Sequence, residues 1–234
     1  LGQATNALRD LDVYLLHQAG YQAMLPEPLR PAIGPLFKTL QKNRIREKAK
    51  INALLDAPAY HDLVARLRDG GGLQGPSGGA GLFTGDLSRR LIFKLFKKTI
   101  KMGRSMVAGA TDQALHGLRI QCKKLRYAIE FFVSLMDADQ AGLLIGQLKS
   151  LQDYLGRVND LAVQQRFLFA YLQTIPARAA DRLALSAAVG ALIGGLYREQ
   201  GQLRTGFADV FGRFDTKGNR RCYRRLFGPR QALP

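Results

Sequence analysis

An all-α fold is the architecture this sequence predicts, and three observations carry it. Apolar residues recur at helical spacing nearly everywhere, and no window alternates apolar and polar residues long enough to make a half-buried strand. Prolines fall between the periodic stretches, at Pro26, Pro28, Pro31, Pro58 and Pro176, where a helix has to stop. The chain is 234 residues long and 47% hydrophobic, enough to bury a sizeable core in one or two domains and too apolar for a disordered basic tail.

Taken in order, the periodicity predicts helices over residues 6–19, 29–55 and 60–69, parted by the proline cluster and by Pro58. Residues 70–85 then hold eight glycines in 16 positions, the composition of a linker or loop. Helices follow over 86–107, 112–136, 140–155, 159–172 and 178–214. Asn159-Asp160 sits where the seventh is expected to start, and carboxylates favour a helix N-terminus. The last carries an uncharged apolar run of 15 residues, 183–197, between Arg182 and Arg198. A membrane span needs about 20 residues, so the run reads as buried core, with no transmembrane segment. Gly190, Gly194 and Gly195 there, with Ala187 and Ala191, are expected to let helices approach closely. The tail holds NRRCYRRLFGPR at 219–230, which suits either an extra anion contact or a solubilising, disordered end. The expected organisation is a first helical half (1–69), a glycine-rich linker or loop (70–85), a second helical half (86–216) and a basic C-terminal tail (217–234).

The halves look related. Asp10-Leu11-Asp12-Val13 recurs as Asp160-Leu161-Ala162-Val163, an offset of 150, and each copy follows a Leu-Gly pair. A basic helix and a connecting helix precede the second copy but not the first, so the chain opens inside its first repeat.

Charge narrows the partner class. Lys and Arg number 35 against 18 Asp and Glu, a net +17, which calls for a polyanion: nucleic acid, an anionic membrane surface or polyphosphate. The excess is clustered. Residues 1–35 hold two basic and three acidic residues, 86–104 hold seven and one, and 201–234 hold eight and two.

The most informative segment is LHGLRIQCKKLRYAIEFF, residues 115–132. At about 100° per residue, His116, Arg119, Lys123 and Arg126 fall in one stripe, with Tyr127 and Glu130 beside it. Leu115, Leu118, Cys122, Leu125 and Ile129 form the neighbouring apolar face. The plain reading is a solvated face on which Glu130 pairs with Arg126 at i,i+4. Against it, one carboxylate has to relieve several mutually repelling cations. Further stripes also recur at Arg90, Lys94, Lys97, Lys101 and Arg104, and at Lys38, Lys42 and Arg46 with Arg44, Lys48 and Lys50 close by. Three stripes on separate helices suggest a shared lined channel or face, with basic groups about 5.4 Å apart along each axis and Arg forks and Lys point charges to meet phosphates. Arg198, at the end of the apolar run, joins the candidate set.

This segment resembles the signature helix of CHAD domains, the conserved histidine α-helical domains. LQDYLGRVNDLAV (151–163) is similar to the second signature of the same half, LRDLDV (8–13) to its first-half counterpart, and LDAPAYHDLVARL (55–67) to the end of the first half. The resemblance spans nearly the whole chain, apart from the glycine-rich loop and the basic tail. It implies two four-helix bundles related by a pseudo-two-fold axis, around a Lys/Arg-lined pore or groove that binds inorganic polyphosphate. The family's histidine matches His116, and its basic positions match Arg119, Lys123, Lys124 and Arg126. The chain departs from the family in lacking a His/Arg-rich helix before Leu1, so the first helix of the first bundle is expected to be missing.

Other chemistries are weighed against this one. Two cysteines exclude a disulfide scaffold, and with three histidines they argue against a Cys/His zinc site. His116 has no His or carboxylate at i+4 and cationic neighbours, which favours a phosphate donor or capping role over a metal ligand; His17 and His61 read as ordinary helix or surface residues. Asp10, Asp12 and Asp160 suit Mg²⁺ beside a phosphate chain, but helix-start or arginine-pairing roles are preferred. Cys122 lies on the apolar face and reads as packing; Cys222 is a thiol with no catalytic base beside it. The glycine-rich run lacks the GK[ST] ending of a phosphate-binding loop. The basic amphipathic stretch 87–103 suits a membrane surface on its own, and a bundle core more simply.

The expectation is therefore a non-catalytic polyphosphate-binding domain, without cofactor or metal, located in the cytoplasm or at polyphosphate granules. Phosphate or sulfate ions are expected to be able to occupy the site. A polyphosphate-processing enzyme is the alternative of another class, weakened by the lack of a recognisable metal-carboxylate cluster or nucleophile–base pair. A nucleic-acid binder is disfavoured for lack of a groove-reading or stacking motif.

Overall fold

The computed structural model describes residues 2–69, 84–178 and 181–229. Among them the chain is all-α, with ten α-helices, three short 3-10 turns and no strand. The linker expected at 70–85 falls almost wholly outside the described residues; its last two positions, Thr84 and Gly85, already open a helix. None of the described helices is long and apolar enough to cross a membrane.

The chain divides into two compact units, and the division is not the linear one expected. One unit comprises Leu1–Ser77 with Gln164–Leu196, the other Gly78–Val163 with Tyr197–Pro234. Residues 164–196, expected in the second half, group with the N-terminal segment.

The first unit contains α1 (Gly2–Leu16), α2 (Gln18–Met24), α3 (Gly34–Leu55) and α4 (Pro58–Arg68). Two 3-10 turns, Glu27–Leu29 and Pro31–Ile33, occupy the proline cluster, so α3 starts later than the periodicity suggests. Pro28, Pro31 and Pro35 each sit in a first turn, where the missing N–H costs nothing. α1 packs on α3, and Leu11 and Tyr14 of α1 and Leu36, Phe37 and Leu40 of α3 are buried. Later segments complete this core. Phe167 brings its ring to 4.6 Å from that of Tyr14, and Leu185, Ala188, Val189, Leu192 and Leu196 are buried at helical spacing. The apolar run 183–197 thus buries one face, while Leu183 and Tyr197 at its ends are exposed.

The second unit is built on α5 (Thr84–Arg104) and α6 (Asp112–Phe131), an antiparallel pair. Thr111 caps α6 by accepting from the Ala114 N–H at 3.2 Å. Gln121, buried on α6, donates to the Leu95 carbonyl of α5 at 3.1 Å. α7 (Ala138–Thr174) is one helix where two were expected. Ala141, Leu144, Leu148, Leu151, Leu155 and Val158 are buried at alternating spacings of three and four, a continuous seam through Gly156. Burying that seam outweighs the cost of about 1 kcal/mol for a glycine inside a helix. Asn159-Asp160 consequently lies in mid-helix, and the helix-start reading of this pair is overturned.

The expected last helix is two, α8 (Arg182–Thr205) and α9 (Phe207–Phe214), parted at Gly206. The Tyr154 hydroxyl donates to the Leu203 carbonyl there, and a Cβ on Gly206 would stand 3.0 Å from that hydroxyl. The tail forms α10 (Lys217–Phe227), so its disordered reading fails over these residues. Tyr223 is fully buried and stacks on Phe96 at 3.8 Å between centroids, and Phe227 is buried beside it. α10 is thus part of the unit's core, not an appendage. Of the glycines expected to let helices approach closely, Gly190 has nothing among the described residues within 4 Å of a Cβ position, and Gly195 has Met24 at 4.0 Å. A much closer approach is at Gly103, where a Cβ would run into the Phe211 ring.

Candidate anion-binding site

α6 is sorted by its periodicity. Leu118, Cys122, Leu125 and Ile129 are wholly buried, and burial pushes the Cys122 thiol up to about 12. His116, Arg119, Lys123 and Arg126 come out together on the neighbouring face, His116 exposed and the three cations half-buried. Arg126 is the most enclosed of them at its head, its Nε buried. Lys124 is exposed but stands apart from this stripe, turned toward the α5 flank by the 100° step.

The stripe is tied to its surroundings at both ends. His116 Nδ1 lies 2.7 Å from Asn159 Oδ1 on α7. Arg126 Nε lies 3.2 Å from Glu130 Oε1, the i,i+4 pair expected of a plain solvated face, and the guanidinium sits over the half-exposed Tyr127 ring, 5.3 Å from its centroid. Arg119 and Lys123 are different: among the described residues, no carboxylate lies within ion-pair distance of either.

On α5, Arg90, Lys94, Lys97 and Lys101 are exposed opposite the buried Ile92, Phe96 and Ile100. Lys97 Nζ lies 5.1 Å from the centroid of the Phe93 ring. Arg104, at the end of this stripe, is engaged by Asp215: Nε to Oδ2 is 2.6 Å and the second fork contact 3.2 Å. Arg220 of α10 reaches the same carboxylate.

α5 meets α6 through Gln121 and at Gly117, where the Met102 Cε lies 3.6 Å from a Cβ position. The centre of the His116–Arg126 stripe is about 160° around α6 from those contacts. Its His116 end borders α7 through Asn159. The third stripe belongs to the other unit: Lys38, Lys42 and Arg46 are exposed on α3, opposite Leu36, Phe37 and Leu40, with Arg46 Nε 3.9 Å from Glu47. Arg198 is exposed on α8, next to Glu199, which pairs with Arg157 at 2.8 Å.

Of the aspartates weighed for metal or structural roles, Asp12 pairs with Arg44 at 2.5 Å, the arginine-holding role. Among the described residues, no three His, Cys, Asp or Glu side chains converge as metal donors. Leu11 and Leu161, at matching positions of the short repeat, are both buried.

Spacing alone missed two residues that organise these cations, Asn159 and Asp215. An Asn inside a helix is unfavourable without a partner, and this is the signal by which Asn159 is recognisable once α7 is known to be continuous. Asp215 is joined to Arg104 across 111 positions, with no local signal.

No curated protein matches the chain at a significant level. A family model described as the CHAD domain matches residues 1–168, from α1 into the last turns of α7. The match ends before α8, α9 and α10, short of the near-complete coverage expected from the signatures alone. It includes both basic stripes of the second unit, the His116–Asn159 contact and the α3 stripe, and on this match over most of its length the chain belongs to the CHAD-domain family.

Proposed function

We propose that this chain binds inorganic polyphosphate through its Lys/Arg faces and does not turn it over. The observation that carries the reading is the α6 stripe, where Arg119 and Lys123 stand without a carboxylate partner among the described residues, beside an exposed imidazole, on a helix whose neighbouring apolar face is wholly buried. Unrelieved cations on a rigid helix await an anion, and a flexible single chain of phosphates can follow basic groups spaced by about one turn, 5.4 Å. The α5 stripe and the α3 stripe supply further positive field. The side chains that come together are cations and an imidazole, a set suited to binding phosphoryl oxygens and short of an activated nucleophile.

Charge reversal tests the site. Arg119→Glu with Lys123→Glu is expected to weaken polyphosphate binding by at least tenfold more than Arg224→Glu with Arg225→Glu on α10, at equal change of net charge and unchanged circular dichroism. Equal losses from the two double variants would mean diffuse attraction and would remove the assigned site. Incubation with polyphosphate and Mg²⁺ or Mn²⁺ is expected to release no phosphate above the blank; turnover there would replace the binding reading with an enzymatic one.

A further inference from the structure

We infer that Asn159, backed by Asp160, is a positioning residue that locks His116 in its Nδ1–H tautomer and thereby makes Nε2 the nitrogen that meets phosphate. The ligand half of this inference rests on the polyphosphate reading; the tautomer half does not.

Asn159 Nδ2 lies 3.4 Å from Asp160 Oδ1, and Asn159 Oδ1 lies 2.7 Å from His116 Nδ1. A carboxylate only accepts, so the amide turns its nitrogen to Asp160 and its oxygen to the ring. An oxygen facing Nδ1 requires the proton to be on Nδ1. A neutral imidazole has one N–H, and the bond made by one ring nitrogen decides the state of the other. Nε2 of neutral His116 is then a lone pair, which repels a phosphate oxygen. Phosphate meets this ring only when Nε2 also carries a proton, giving a charge-assisted N–H to oxygen bond. Binding therefore takes up one proton at Nε2, from water, with Nδ1–H still donating to Asn159.

The charged groups around the ring are consistent with that step. On α6, Asp112 and Arg119 lie about one turn to either side, and Asp112 is 3.8 Å from Arg204 of α8. On α7, Asp160 faces Asn159, and Arg157 is paired with Glu199 of α8. Arg119 is left to draw the anion toward the ring.

The test uses the 234-residue chain with ¹⁵N-labelled histidine, His116→Gln serving to identify the His116 signals among those of His17 and His61. Above the imidazole titration range and without ligand, wild type is expected to show the Nδ1–H pattern. Asn159→Ala should lose it, and Asn159→Asp, which still presents an acceptor oxygen, should retain it. An Nε2–H pattern in wild type, or an unchanged pattern in Asn159→Ala with native circular dichroism, overturns the inference; if the Ala variant does not fold, wild type and Asn159→Asp decide it. In a second arm, polyphosphate affinity of wild type should fall as pH rises across the imidazole range, and that of Asn159→Ala, whose neutral ring is free to carry its proton on Nε2, should fall less. A pH-independent wild-type affinity overturns the ligand role of Nε2. Absence of polyphosphate binding at every pH would instead defeat the proposed function and leave the tautomer result standing.

Discussion

Two guanidiniums converge on the carboxylate of Asp215, Arg104 through both fork contacts and Arg220 through Oδ1 and the residue's own carbonyl. Partial burial alone would raise this carboxyl, but the two arginines outweigh it and hold it below the usual carboxylate range. A carboxylate depressed in the folded state stabilises the fold above its unfolded value and loses that contribution as pH falls through the folded one. Wild type should therefore lose stability on acidification below about pH 4, and Asp215→Asn, already without the pair, should lose less over the same interval. Urea midpoints at stepped pH measure the difference; parallel curves would show that the pair contributes nothing. The same residue shows what spacing cannot reveal. Arg104 looks like the end of the α5 stripe because helical period locates cations along a helix. The carboxylate that claims it arrives from a distant segment. His116 was legible in its stripe for the same reason, and its partner Asn159 was not.

The limits of local reading are clearest in α7 and α10. Helical period found the long helices, since burial on one face repeats along the chain, but missed the short α2 and ran α8 and α9 together. It broke α7 at Gly156, where glycine argues for a stop, because it does not weigh the buried seam on either side. It left α10 unassigned, because the dense basic run hides the apolar trio Tyr223, Cys222 and Phe227 that packs against or within the core. Two substitutions test this packing. Tyr223→Ala should destabilise the fold by about 3–5 kcal/mol, as loss of a buried aromatic does. Gly103→Ala adds one methyl against the Phe211 ring and should cost about 1–3 kcal/mol as overpacking, although alanine is the better helix former. A Gly103→Ala variant as stable as wild type in chemical denaturation would show that α5 and α9 are less closely packed than described.

For the chain as a whole, a net charge of +17 sets a field that any polyanion feels, so affinity for polyphosphate should fall steeply with salt. Polyphosphate should also bind more tightly than duplex DNA of equal total charge, because a flexible single chain can follow a one-helix stripe and a rigid duplex cannot. Titrations over a salt series, and competition between the two polyanions, measure both; equal affinities would remove the preference. The all-α class, the charge clusters and the family signatures were legible in sequence because each is a local pattern. The grouping of 164–196 with the N-terminal segment was not, since it depends on which buried faces meet. That grouping bears on how the protein is made. The first unit needs Leu185 to Leu196 for its core, and the second needs Phe207, Phe211, Phe214 and Tyr223 for its own. A ribosome releasing the chain from its N-terminus thus delivers α5 and α6 long before their last aromatic partners. Neither unit can close until synthesis has passed well beyond α7, leaving basic helices with uncovered apolar faces in the nascent chain. Chaperone capture during translation is expected there, and moving α9 and α10 together by circular permutation to precede α5 should shorten it.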